Sequence, residues 1–162
     1  MLYELPAETT EYEFKVVLET KKPKSWLKSV CAFANGIGGT LIFGIDDDRN
    51  IVGLSKPQDD TERISRLIKD RITPTPDFKL EPEIIEDKTI LKVIVKTGRS
   101  TLYYYHADGV METYIRIGNE SIVAPQQHCK RTDTERNQPI VRCPYYRGEE
   151  NRLQLHPTFR YI

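Results

Sequence analysis

The sequence predicts an α+β fold, with one mixed or mostly antiparallel sheet and two helices packed on it. Three observations point there. Segments of strand-like and helical period follow one another as strand, helix, hairpin, helix and then a run of strands. The run Thr40-Leu41-Ile42-Phe43-Gly44-Ile45 is almost continuously apolar, as a buried central strand is. The chain has 162 residues, 38% apolar and 30% charged, which suits one compact domain with a real core.

Each element has a local reason. Tyr12 to Leu18 carries β-branched and aromatic residues in partial alternation and reads as the first strand. From Pro23, which suits an early helical position, Trp26, Leu27, Val30, Phe33 and Ala34 recur at helical spacing. Asn35-Gly36 stops that helix. After the Thr40–Ile45 strand, Asp46 to Asn50 forms a turn, and Ile51 to Leu54 returns as the second arm of a hairpin. Ser55 and Gln58 suggest a capping box that opens a helix with Ile64, Leu67, Ile68 and Ile72 on its apolar side. Thr73-Pro74-Thr75-Pro76 ends it, because a residue preceding proline is driven from helical angles. Strands follow at Phe78 to Ile85, Thr89 to Val95, Tyr103 to His106 and Tyr114 to Ile117, with turns at Asp87-Lys88 and Ala107-Asp108-Gly109. Beyond Pro125 no period is sustained. Residues 1–125 are therefore expected to form the domain and residues 126–162 an irregular basic tail.

Composition narrows the function. No stretch reaches the roughly 18–20 apolar residues that span a bilayer, and the N-terminus lacks a basic region followed by an apolar run. Cys31, Cys129 and Cys143 are an odd, scattered set, which excludes a disulfide framework. A cytoplasmic protein with no membrane partner is the expectation. His128, Cys129, Cys143 and His156 lack the paired spacing of a zinc site. The net charge is zero, so no overall basic character marks a nucleic-acid binder. Its distribution is uneven. Residues 126–162 hold seven basic and four acidic residues, and Lys15, Lys21, Lys22, Lys24 and Lys28 share a 14-residue window with one acid, Glu19. That window is either a solvated basic face or a phosphate-contacting patch.

The glycines of Asn35-Gly36-Ile37-Gly38-Gly39 lie between a helix and a strand, the reverse of a phosphate-binding turn, and no Gly-Lys-Ser/Thr follows. A P-loop ATPase is not expected on that ground. Asp46, Asp47 and Asp48 read first as a turn; if the first strand lies beside them, Glu13 and one aspartate could converge on a divalent cation. Arg116, in a strand between Tyr114 and Ile117, is either an internal ion-pair partner or a phosphate ligand. Among Tyr103, Tyr104 and Tyr105, alternation leaves at least one ring exposed, where it could stack on a base.

Glu8-Thr9-Thr10-Glu11-Tyr12-Glu13-Phe14-Lys15 resembles the opening motif of the Schlafen Alba-like domain, once labelled a divergent AAA ATPase domain. The resemblance continues through Val30 to Asp47, through Ile51 to Leu54, and in the closing segments Tyr103-Tyr104-Tyr105 and Tyr114 to Ser121; it covers about residues 4–125. Leu102 stands where the family commonly has proline, and Gln126 to Lys130 does not supply the leucine-rich helix expected next. The resemblance implies a nucleic-acid-binding module of the transcriptional-regulator type, with DNA or RNA as partner. Lys15, Lys21, Lys22, Lys24, Lys28 and Arg116 are its candidate contacts. The alternative it implies is a metal-dependent endoribonuclease, with Glu8, Glu13 and Asp47 as catalytic residues and ligands of Mg2+ or Mn2+. A nucleotide-binding or structural assembly domain is the third reading. Because the family's nuclease groove uses two lobes and this chain has one, a homodimer is expected.

Overall fold

A computed structural model of the chain describes residues 10–98 and 102–124. The tail 126–162 and Glu8 lie outside the described residues. Strand β1 (Tyr12–Lys15), helix α1 (Lys24–Asn35) and strand β2 (Gly39–Phe43) form a unit in which the two strands pair in parallel, Tyr12 opposite Thr40 and Lys15 opposite Phe43. Parallel neighbours need a crossover connection, and α1 supplies it. Helix α2 (Pro57–Arg71) leads into the short β3 (Ile72–Thr73), then β4 (Phe78–Ile85) and β5 (Lys88–Val95). The β4–β5 hairpin turns through Glu86 and Asp87 at φ 50° and 60°. Both angles lie in the left-handed region that two-residue hairpins use. The described part closes with β6 (Tyr104–Ala107), β7 (Val110–Glu112), β8 (Tyr114–Ile117) and β9 (Glu120–Val123).

Among the described residues the fold is α+β with two helices, and the strands divide into three sheets where one was expected. They are β1-β2-β5-β4, β3-β6-β7 and the β8–β9 hairpin. The reason lies in α1. Trp26, Leu27, Val30, Cys31, Ala32, Phe33 and Ala34 are all buried, and an apolar surface that wide cannot be covered from one side. The four-stranded sheet covers one side, where Trp26 meets Phe43 edge-on at 5.6 Å between ring centres. The closing strands cover the other, with Tyr103, Tyr105 and Tyr114 in the same core cluster.

Two local expectations are corrected. Ile51 to Leu54 is an arch rather than a strand: only Ile51 bridges to Ile45, and the amides of Val52 and Gly53 both donate to the Gly44 carbonyl. Gly44 takes φ +97°, and an added Cβ would lie 3.2 Å from the Gly53 backbone, so the close approach requires glycine there. Ser55 does not cap α2. Its N-cap is Lys56 without a side-chain cap; Pro57 opens the helix, and Asp59 and Asp60 in the first turn complement the dipole instead. Among the described residues no helix is long and apolar enough to cross a membrane.

Candidate nucleic-acid interface

Glu13 alternates inward from β1 toward α1, and the residue is 7% exposed. Two cations meet it there. Arg116, projecting from β8, donates from one guanidinium nitrogen to Oε2, and Lys15 approaches Oε1 at 2.9 Å. The same guanidinium nitrogen donates to Ser121 Oγ at 3.0 Å, and the Arg116 group stacks over the Phe33 ring at 5.1 Å. Burial works against ionisation of Glu13, but Lys15, a hydrogen bond from Ser29 and Arg116 together outweigh it and hold its carboxyl below the ordinary value. Arg116 is therefore corrected as a phosphate contact: at 3% exposure it is an internal ion-pair partner.

The lysine window divides by partner. Lys24 sits 2.6 Å from Glu112 and lies near the Tyr105 and Tyr114 rings, at 5.9 and 6.0 Å from their centres. Tyr114 also donates to Glu112, at 2.6 Å. Burial, and then the Glu112 hydrogen bond, push the Tyr114 hydroxyl up to about 12. Lys28 is half-buried on α1. Lys21 and Lys22 are exposed and form no ion pair with a described residue. They stand just before α1, whose first turn carries no acidic residue. The electropositive part of the window is its centre, Lys21 and Lys22, beside the positive end of the helix dipole.

Asp46 accepts from the Asn50 amide at 2.7 Å and from the Asn50 side chain at 3.0 Å, and these bonds lower its pKa and close the turn. Asp47 is exposed on that turn. Among the described residues no three His, Cys, Asp or Glu side chains stand together as a metal site. Glu13 fits poorly as a ligand for Mg2+ or Mn2+, because cationic groups already occupy both of its oxygens.

Residues 8–125 match the family described as Schlafen, AlbA_2, well over half of the chain. The chain belongs to the Schlafen AlbA_2 family. Solved structures share the fold at low identity. The DIP2311 protein from Corynebacterium diphtheriae aligns over 71% of this chain with a TM-score of 0.52 and 18% identity; this chain spans 22% of that protein. The N-terminal domain of a putative ATP-dependent DNA helicase RecG-related protein from Nitrosomonas europaea aligns over 79% of this chain and 87% of its own, with a TM-score of 0.50 and 22% identity.

Within this Schlafen AlbA_2 domain the motif residue Asn35 has a part the sequence did not disclose. Its side-chain amide donates to the carbonyls of Tyr103 at 2.9 Å and Tyr114 at 3.0 Å, and its oxygen accepts from the Tyr103 amide at 2.7 Å. One side chain thereby ties the end of α1 to both closing segments. Cys31 joins the same seam, donating to the Tyr103 carbonyl at 3.2 Å. Burial pushes its thiol up to about 11, so it stays protonated at neutral pH and is no nucleophile. Tyr103 and Tyr105 are buried against α1, which removes those two rings as stacking surfaces and leaves Tyr104 half-buried. A concavity of about 600 Å3 beside the end of α2 is lined, among the described residues, by both signs of charge from Asp70, Arg71 and Asp108 and by none of the predicted contacts.

Proposed function

We propose that this chain is a nucleic-acid-binding module of the transcriptional-regulator type that contacts phosphates through Lys21 and Lys22. The observation that carries the proposal is the exposed lysine pair, without a carboxylate partner among the described residues, beside α1, whose own first turn carries no acidic residue. Phosphate oxygens satisfy both features at once. Family membership supports the same reading. The engagement of Glu13 by Arg116 and Lys15 favours binding over cleavage, since a carboxylate committed to two cations is a poor metal ligand or base.

The module acts as a homodimer in this proposal. The β8–β9 hairpin leaves Ile117 and Ile122, on the same face, 47% and 37% exposed, an apolar strip that a second copy can cover about a two-fold axis. Two lobes then offer their lysine pairs to one shared groove. Light scattering on material eluting from a sizing column, with and without an RNA or DNA stem-loop, tests both parts. The expected result is twice the chain mass, with nucleic acid co-eluting at low salt. A single-chain mass together with free nucleic acid would reject the proposal.

A further inference from the structure

Ile72 and Tyr105 turn one face of the β3-β6-β7 sheet into the core around α1. Alternation turns Thr73, Tyr104, His106 and Met111 to the opposite face. There Thr73 stands opposite Tyr104, and His106 opposite Met111, in register. Met111 is 62% exposed and Thr73 is exposed beside it on the same face. The end of α2 and the β6–β7 turn border the concavity of about 600 Å3 next to this face. Thr73, His106 and Met111 line it from the sheet, Asp70 and Arg71 from the helix, and Asp108 from the turn.

The opposite charges share this space without pairing. Arg71 forms no ion pair with a described residue, and neither do Asp70 and Asp108. A guanidinium and two carboxylates held apart suit a ligand that carries an anionic group and amino donors together. The His106 ring and the Met111 thioether add a stacking surface between them. Ligand sites run to roughly 300–1,000 Å3, so the volume holds a whole nucleotide. One nucleotide answers each group: its phosphate meets Arg71, its base stacks on His106, and amino hydrogens on the base edge donate to Asp70 or Asp108. Uracil and thymine would instead set a carbonyl against a carboxylate. In a duplex the faces are hidden, whereas unpaired bases offer them. The concavity also adjoins the lysine pair: Lys24 at the start of α1 meets Glu112, the residue after Met111. We propose that this concavity holds one unpaired nucleotide bearing an amino base, within a single strand whose neighbouring phosphates lie on Lys21 and Lys22. The inference rests on the nucleic-acid reading above and narrows it to an unpaired strand and a class of base.

The test compares oligocytidylate, oligouridylate and a duplex of equal length, by fluorescence anisotropy of labelled strands at neutral pH. Oligocytidylate is expected to bind about fivefold more tightly than oligouridylate, the low end for one base-edge contact. Asp70→Asn combined with Asp108→Asn should erase that preference. Asp108 has φ 51°, a left-handed angle that asparagine also adopts, so the turn survives the change. His106→Ala should weaken both single strands by at least about fivefold, as loss of one stacked base does. His106→Phe keeps a ring and should bind like the wild type. Arg71→Gln should lower the single-strand salt slope by roughly 0.7, one phosphate contact. Equal affinity of the wild type for the two single strands, or unchanged affinity in folded His106→Ala and Arg71→Gln, would overturn the site and leave the lysine contacts standing. Cytidine monophosphate binding as tightly as the strand would overturn its placement within a strand. Loss of the dimer in Met111→Glu with strand binding intact would give this face to a second copy instead. Binding of the duplex alone at low salt would overturn the site, and binding of none of the three would overturn the nucleic-acid reading with it.

Discussion

Arg116→Met is expected to destabilise the domain by about 3 kcal/mol, the lower end of the cost of stripping one partner from a buried ion pair. The lower end applies because Lys15 remains beside Glu13. The loss should be largely recovered in the double variant with Glu13→Gln, which removes the stranded charge. The acid limb supplies a second signature. The Glu13 carboxyl sits below its ordinary value of 4.5 in the fold, so its contribution is complete above that value and disappears as pH falls through the lower folded value. Arg116→Met deletes one cause of the lowering, so acid unfolding should begin at higher pH. Urea unfolding at pH 7 and across the acid range reads both effects. A loss under about 1 kcal/mol, with an unmoved acid limb, would mean that the pair carries little of the fold.

Asn35→Ala should cost about 2–3 kcal/mol. Three hydrogen bonds to the backbone of Tyr103 and Tyr114 vanish, and each buried peptide group left unpaired costs roughly 1–3 kcal/mol unless water reaches it. Asn35→Asp should be no better, because it keeps the acceptor for the Tyr103 amide while turning a carboxylate oxygen toward two carbonyls. Hydrogen exchange locates the damage: β6 and β8 should lose protection before β2 and β5, since only the closing strands hang on this side chain. Uniform loss across all strands would contradict that assignment.

The local pattern of the sequence was legible where burial and period coincide. The predicted strands Phe78 to Ile85 and Tyr114 to Ile117 match β4 and β8 residue for residue, and the helix ends at Asn35 as its Asn-Gly signal implies. The strands β7 and β9 escaped notice because Val110, Met111, Ile122 and Val123 are exposed and follow no alternation of buried and open residues. The division into three sheets was legible only indirectly, in the width of the apolar surface on α1. Site residues were harder for a different reason. Asn35 reads as a helix stop, yet its bonds go to partners 68 and 79 residues away. Arg116 finds Glu13 across 103 residues, and Lys24 on α1 finds Glu112 on β7. Charge counting gave the five lysines equal weight; only the pairing geometry separates Lys21 and Lys22 from Lys15 and Lys24.

The salt dependence of nucleic-acid binding in the Lys21→Gln, Lys22→Gln double variant tests the central claim most directly. Each phosphate contact on duplex DNA contributes roughly 0.9 to the steepness of log affinity against log salt. Loss of both lysines should therefore flatten the slope by about 1.8 and weaken binding at low salt, with the unfolding midpoint unchanged because neither side chain is buried. A slope and affinity equal to those of the wild type would contradict the assignment of this patch as the phosphate-binding surface.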